Sequence, residues 1–356
     1  MIEKIEIQNF RCFKSLILSN LARVNIIVGP NSSGKTALME AIFLASGTNP
    51  ELAFRIKAFR GLNSLTISVN RSAYEALWKD LFFGFDQSKP VTINMTGSPA
   101  FCRELTIGYQ HEKTLVLEIS GKDILKDSVA PIVPILFEWK LLSGQTIAAE
   151  PEIRNNGIGV KFSGATSIVQ PLPSAFYTSA TQTTQEENSN YFSMLSVQNK
   201  EKEIVDALKS EFPFIKGLTV EISGGVATLF ASIENVDEKI PLNLVSSGVT
   251  KLVGILLGIA NQAGGVICID EIENGFYFDR LPSIWHLIFE FAERFDVQVF
   301  ASTHSWECLQ AASDCATSSG QISKFCLIQS INNEKKFRAH PGEALVTAMM
   351  QQIDVR

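Results

Sequence analysis

Eight consecutive residues, Gly29-Pro30-Asn31-Ser32-Ser33-Gly34-Lys35-Thr36, have the types and spacing of a phosphate cradle. Glycines near both ends let the backbone curl around an anion, so that successive N–H groups and the start of a following helix face it. Lys35 is then the expected contact to the β- and γ-phosphates and Thr36 the expected Mg²⁺ ligand, with Asn31, Ser32, Ser33, Gly34 and Ala37 completing the cradle. Three later stretches could complete such a site. Val266-Ile267-Cys268-Ile269-Asp270-Glu271 is an apolar run ending in two carboxylates. Asp270 suits the metal side and Glu271 the base that takes a proton from an attacking water. His304, closing Phe300-Ala301-Ser302-Thr303, is placed for a γ-phosphate contact if that run is a parallel strand. Ser246-Ser247-Gly248, before a helical pattern, offers two hydroxyls and a glycine as a second anion site. Each later stretch also has a plain reading: a solvated strand end, a structural histidine, an N-cap.

The elements around these residues have the required order. Residues 24–28 read as a buried strand running into the glycine loop, and 36–46 as a helix stopped by Gly47-Thr48-Asn49-Pro50. Before them, Ile2, Ile5 and Ile7 mark a first strand that turns into a second. Residues 51–81 read as helical. Short β-like runs dominate 91–169, at 91–95, 105–107, 114–119, 132–139 and 159–162. A strand at 175–177, a polar loop over 178–190, a helix over 197–212 and strands at 218–222 and 227–233 follow. The remainder alternates helix 250–262, strand 265–269, helix 282–295 and strand 297–302, the pattern of a parallel sheet wrapped by helices. The last residues read as strands 325–330 and 336–338 joined across Asn332-Asn333, then a helix over 341–352.

Bulk composition sets limits. With 356 residues, 46% hydrophobic and 19% charged, the chain can bury a full core. A net charge of −6 argues against a general attraction to nucleic acid. The six cysteines show no C-x-x-C spacing, the first residues lack a leader's form, and the longest apolar run, 252–260, is far short of a membrane span. The expected location is cytoplasmic. No nucleophile elbow, zinc spacing or guanine-reading Asn-Lys-x-Asp occurs. Arg55, Lys57 and Arg60 with Phe54 and Phe59 could meet DNA or an acidic partner, or form a solvated helix face over core phenylalanines. Leu81-Phe82-Phe83-Gly84-Phe85 could be a partner patch or core.

Together with Asn9-Phe10-Arg11 and Asp270-Glu271-Ile272-Glu273-Asn274-Gly275, these motifs resemble an ABC-type AAA ATPase of the RecF/SMC/OLD (overcoming lysogenization defect) group. Within it the chain looks most like the stand-alone OLD-like bacterial ATPases associated with anti-phage defence. The resemblance implies an α/β P-loop NTPase fold: an ABC-ATPase-like head with a mixed or parallel sheet and an inserted strand-rich and helical subdomain. Its expected parts are an N-terminal lobe at 1–90, an inserted region at 91–240 and a C-terminal lobe at 241–356. It implies ATP and Mg²⁺ as ligands and a homodimer or higher oligomer in which two chains sandwich two ATP molecules. The Ser246-Ser247-Gly248 signature would cap the other chain's γ-phosphate, which assigns the two anion sites to different nucleotides. Arg11 would touch the nucleotide, Asn274-Gly275 would lie at the dimer seam, His304 would be the switch histidine, and Gln182, or else Gln185, the Q-loop glutamine. The signature departs from the Leu-Ser-Gly-Gly-Gln of transporters. OLD nucleases add a Toprim domain, whereas no Asp-x-Asp pair follows His304, so the output is expected in a separate effector, such as a Toprim-type nuclease. A RecF-like DNA repair ATPase is the alternative, and a transporter's nucleotide-binding subunit a more distant one.

Overall fold

The computed structural model describes residues 1–59, 71–113, 133–154, 157–164, 170–178, 185–331 and 335–351. In chain order the elements begin with β1 (Ile2–Phe10), β2 (Phe13–Ser19), β3 (Val24–Val28), α1 (Lys35–Ser46), α2 (Glu51–Phe59) and α3 (Arg71–Lys79). Next come β4 (Val91–Gly97), β5 (Arg103–Tyr109), β6 (Ile135–Leu141), β7 (Thr146–Arg154), β8 (Gly157–Gly164) and β9 (Ser174–Tyr177). Then follow α4 (Gln185–Val197), α5 (Glu201–Glu211), β10 (Ile215–Ser223), β11 (Val226–Ile233), β12 (Ile240–Pro241), α6 (Leu242–Val245) and α7 (Ser247–Asn261). The chain closes with β13 (Val266–Ile269), α8 (Leu281–Arg294), β14 (Gln298–Thr303), α9 (Trp306–Ser318), β15 (Phe325–Ile331), β16 (Lys336–Pro341) and α10 (Gly342–Met350). These elements form two compact units: Met1–Leu21, Asn31–Leu172 and Ser330–Arg338 in the first, and Ala22–Pro30, Pro173–Gln329 and Ala339–Arg356 in the second. Each of the sequence segments 1–90, 91–240 and 241–356 contributes to both units.

The first unit is built on a sheet ordered β2-β1-β4-β5-β6-β7-β8, antiparallel throughout. The strands expected from 91–169 therefore extend the sheet that β1 and β2 begin. In β1, Ile5 and Ile7 are fully buried, as alternation requires of a sheet with one face on a core, and Ile2, beyond a register shift between Ile2 and Lys4, is buried as well. Helix α1 is buried almost all round, which its run of Ala, Leu, Met, Ile and Phe permits. Its last carbonyls are satisfied by the sheet: Trp139 Nε1 donates to Leu44 O at 3.1 Å and Arg103 Nη1 to Ser46 O at 3.1 Å. Burial pulls the Arg103 guanidinium down to about 10, while its charge sits favourably at the carbonyl end of a helix.

The second unit holds the parallel strands β15-β3-β14-β13-β9, with β16 at the edge beyond β15. Every residue of β3, β13 and β14 is buried, matching the continuous apolar runs read in the sequence. The core joins Val24, Ile26 and Val28 to Leu252, Ile255 and Leu256 of α7 and to Trp285, Ile288 and Phe289 of α8, and each such side chain contributes about 2 kcal/mol. β10, β11 and β12 form a separate antiparallel sheet, and the first two turn on Gly224 and Gly225 at φ 60° and 84°, the left-handed geometry that a two-residue hairpin demands.

Two expectations are corrected. The polar stretch 178–190 is not all loop: α4 starts at Gln185, burying Asn188 and Ser189 and packing Phe192 and Leu195 into the core. The helix expected over 197–212 is α5 from Glu201, after a turn at Asn199 with φ 56°. β7 and α9 had no counterpart in the sequence reading. Gln182, Arg60, the run 114–119, the Asn332-Asn333 turn and 353–356 lie outside the described residues, as does the side chain of Gln185.

All six cysteines are free, and burial pushes Cys308 and Cys326 up to about 12, the behaviour of inert core thiols. Among the described residues no helix is long and apolar enough to cross a membrane.

Candidate functional site

The phosphate loop carries three left-handed residues, Gly29 at φ 147°, Ser32 at 62° and Gly34 at 111°. Such turns point successive N–H groups into one concavity. Gly34 is also the N-cap of α1 and has no side-chain capping bond, and no acidic residue occupies the first turn. The helix start is therefore not capped by a side chain of its N-cap residue. Ser33 is buried and its Oγ has no hydrogen-bond partner among the described residues. An uncapped helix start beside an orphaned hydroxyl fits an anion with several oxygens, as the sequence anticipated. Lys35 and Ala37 are buried, Thr36 is half-buried, and Asn31 and Ser32 are exposed.

A Cβ on Gly34 would lie 2.9 Å from Cys12 Sγ and 3.0 Å from the Phe13 ring, at a φ that side chains rarely adopt. Gly34→Ala is expected to weaken nucleotide binding by about 5- to 100-fold, since strain in this region costs about 1–3 kcal/mol. Titration with a fluorescent ATP analogue checks this.

Arg11 lies in a buried ionic cluster of the same unit. Its Nε is 2.7 Å from Glu40 Oε2 and its Nη1 3.2 Å from Asp80 Oδ2, while Lys57 Nζ is 2.8 Å from Asp80 Oδ1. Of the guanidinium, Nη2 is buried without a hydrogen-bond partner among the described residues. Lys57 is buried, so the basic and aromatic residues of α2 are not a continuous solvated basic face. Leu81 and Phe82 are core, and Phe85 is exposed.

In the second unit β14 lies beside β13, with Ile269 opposite Ala301, which brings the ends of the two predicted stretches together. The Ser302 hydroxyl donates to Asp270 Oδ1 and accepts the Glu271 N–H at 2.8 Å. Glu271 is itself left-handed, at φ 49°. Its Oε2 accepts from Asn274 Nδ2 at 2.6 Å and its Oε1 is 3.9 Å from His304 Nε2. The His304 N–H donates to Glu273 Oε1 at 2.8 Å. Asp270, Glu271 and His304 thus meet at the C-terminal ends of parallel strands, where α/β sheets hold ligands. A carboxylate beside an imidazole there can take a proton from water.

The donors also suit Mg²⁺. Among the described residues no group of three or more His, Cys, Asp or Glu side chains could hold a metal. A cation served by one carboxylate, such as Asp270, draws its other ligands from phosphate and water, as Mg²⁺ characteristically does.

Ser246 and Ser247 are exposed at the start of α7. Ser246 is its N-cap, accepting the Val249 N–H at 3.4 Å. A Cβ on Gly248 would lie 2.9 Å from the Gly275 carbonyl oxygen, so the signature glycine lets the loop after β13 approach α7. Sequence reasoning missed Ser302, Glu273 and Lys251. Ser302, two residues before His304 on a strand beside Asp270, could have been found from the register; a single lysine in an apolar helix gives no such sign.

Comparison with known proteins gives the family. A family profile described as AAA ATPase domain matches residues 1–213 and 176–309. An ATP/GTP phosphatase of Helicobacter pylori is 21% identical over 344 residues, covering 87% of each chain. The DNA replication and repair protein RecF of Prosthecochloris aestuarii is 39% identical over 83 residues, 23% of this chain and 20% of that one. Among solved structures, an SmcHead bound to the C-winged helix domain of ScpA aligns over 97% of this chain and 99% of its own, with 14% identity and a TM-score of 0.47.

Proposed function

From the premise that the chain belongs to the AAA ATPase domain family, we propose that it binds ATP and hydrolyses it to ADP and phosphate. The observation that carries this reading is the cluster after β13: Glu271 held beside His304, with its backbone N–H fixed by Ser302. In the proposed reaction the loop 29–34 and the first turn of α1 bind the phosphates through backbone N–H groups, with Lys35 adding a cation. Glu271 orients a water and accepts its proton as the oxygen attacks the γ-phosphorus, and the bond to the β-phosphate oxygen breaks. In this reading His304 donates a hydrogen bond to the transferring phosphoryl group. Bound Mg²⁺ would neutralise charge on the β- and γ-oxygens. The H. pylori ATP/GTP phosphatase, similar over most of both chains, supports nucleotide hydrolysis.

The finer reading is a switch. Ser246, Ser247 and Gly248 cap the nucleotide of a second copy, ATP binding closes the dimer, and hydrolysis opens it. Its resemblance to OLD-like ATPases supports a role in anti-phage defence, with a separate effector, a nuclease, held or released by the dimer. Affinity purification of the protein from its host with ATP, ADP or no nucleotide tests this. A partner that changes with nucleotide is expected, and the same partners in all three states would contradict it.

Similarity to RecF favours a second reading, an ATPase acting on DNA. It predicts turnover stimulated by duplex DNA and lost steeply as salt rises. The net charge of −6 favours the first.

A further inference from the structure

Lys251 lies one turn into α7, directly after the signature residues, yet its ammonium faces the loop that follows Asp270. Nζ donates to three backbone carbonyls of that loop, Glu271 O at 3.1 Å, Ile272 O at 3.1 Å and Asn274 O at 2.6 Å. It also stands 5.3 Å from the centre of the Phe276 ring. Three acceptors match the three donors of an ammonium, and each bond is charge-assisted. Burial pulls the group down to about 8, while the carboxylates of Glu273, Glu271 and Asp270 act in the opposite direction.

The same loop is gripped elsewhere. Ser302 accepts the Glu271 N–H and its own carbonyl accepts the Ile272 N–H at 3.0 Å. Glu273 reaches back to the His304 N–H. Glu271 sits at φ 49°, a conformation that a non-glycine residue keeps only when its surroundings impose it. Lys251 supplies the hold on its carbonyl side and is the member of this set that belongs to the signature helix.

We propose that Lys251 is a positioning residue that ties the start of α7 to the Glu271 loop, so that a nucleotide capped at Ser246-Ser247-Gly248 and the carboxylate that activates water are set by one rigid connection. The proposal rests on the ATPase reading above. It predicts that losing the ammonium displaces Glu271 while leaving Lys35 and the first turn of α1, which belong to the other unit, unchanged.

Lys251→Met keeps the length of the side chain and removes its donors. Its kcat is expected to fall about 100-fold, the scale of a small misplacement of a catalytic group, with the Kd for ATP within about threefold of wild type. Lys251→Arg, which restores charge and donors, is expected to recover turnover to within about tenfold of wild type. Unchanged kcat in Lys251→Met overturns the proposal, as does a parallel loss of kcat and ATP affinity that marks general disruption. If the methionine variant does not fold, Lys251→Gln replaces it with the same readouts. Failure of both neutral variants to fold beside a fully active Lys251→Arg makes the residue structural and also overturns the proposal. Absence of turnover in the wild-type protein would instead defeat the ATPase reading, and the proposal with it.

Discussion

Glu271→Gln is expected to bind ATP as tightly as wild type and to hydrolyse it at least about 100-fold more slowly, the range lost when a general base is removed. The substitution is nearly isosteric, and the contacts that hold residue 271 are mostly backbone contacts. Its N–H is accepted by Ser302 and its carbonyl by Lys251, neither of which the change touches. The amide keeps an oxygen for Asn274 Nδ2, now 2.6 Å from the carboxylate. What disappears is the ability to accept and carry a proton next to His304. Binding should survive because Lys35 and the first turn of α1 lie in the other unit. With hydrolysis blocked, ATP should hold the dimer, so light scattering is expected to show a nucleotide-dependent doubling of mass that wild type shows only transiently. Wild-type turnover by the variant would remove Glu271 from the base role and leave Glu273, whose Oε2 is buried without a hydrogen-bond partner among the described residues, as the carboxylate to examine.

Ser246→Arg is expected to have the second largest effect, an inactive enzyme that still binds ATP. Ser246 is exposed and extended, and its one local duty is to cap α7 through a long hydrogen bond to Val249 N–H. Losing a cap costs about 1 kcal/mol, too little to unfold a core of this size. Turnover should nevertheless fall at least about 100-fold, because an arginine where a serine must approach phosphate oxygens keeps the second chain from closing. Mixing supplies the decisive check. Lys35→Ala lacks the phosphate-binding lysine and Ser246→Arg lacks the cap, so each alone is inactive. A mixed dimer contains one site with both residues intact, and activity should return on mixing. No recovery, together with a monomeric ATP-bound wild type, would contradict capping by a second chain.

The sequence revealed most where backbone demands are local. The glycine loop between an apolar strand and a helix, the carboxylates ending β13 and the histidine after β14 each carry a short-range requirement that few residue types meet. It revealed least where tertiary contacts decide. α4 buries Asn188 and Ser189, so its polar composition read as loop until the core around Phe192 and Leu195 was known. α9 is rich in Ala, Cys and Ser, and its start rests on a cap, Ser305 Oγ accepting the Cys308 N–H at 3.0 Å, with no strong apolar period behind it. β7 contains Ala148-Ala149 and Pro151, which lower strand propensity; its neighbours β6 and β8 supply the pairing that makes it a strand.

At the candidate site the same division appears. Asp270, Glu271 and His304 were legible as chemistry, while the groups that hold them depend on which strands become neighbours. Arg11 shows the reverse case. Its family resemblance suggests the nucleotide, and the fold surrounds it with Glu40, Asp80 and Lys57, an ionic cluster beside α1 that spacing in the chain does not disclose. Removing one partner of such a buried cluster leaves an uncompensated charge, so variants at Arg11 report on folding as well as on binding.

Phosphate release from ATP by the purified protein, measured beside Lys35→Ala, tests the central claim most directly. The account predicts steady release by wild type and none above background by the variant at the same concentration and fold. No release by wild type, or equal release by both, would contradict it.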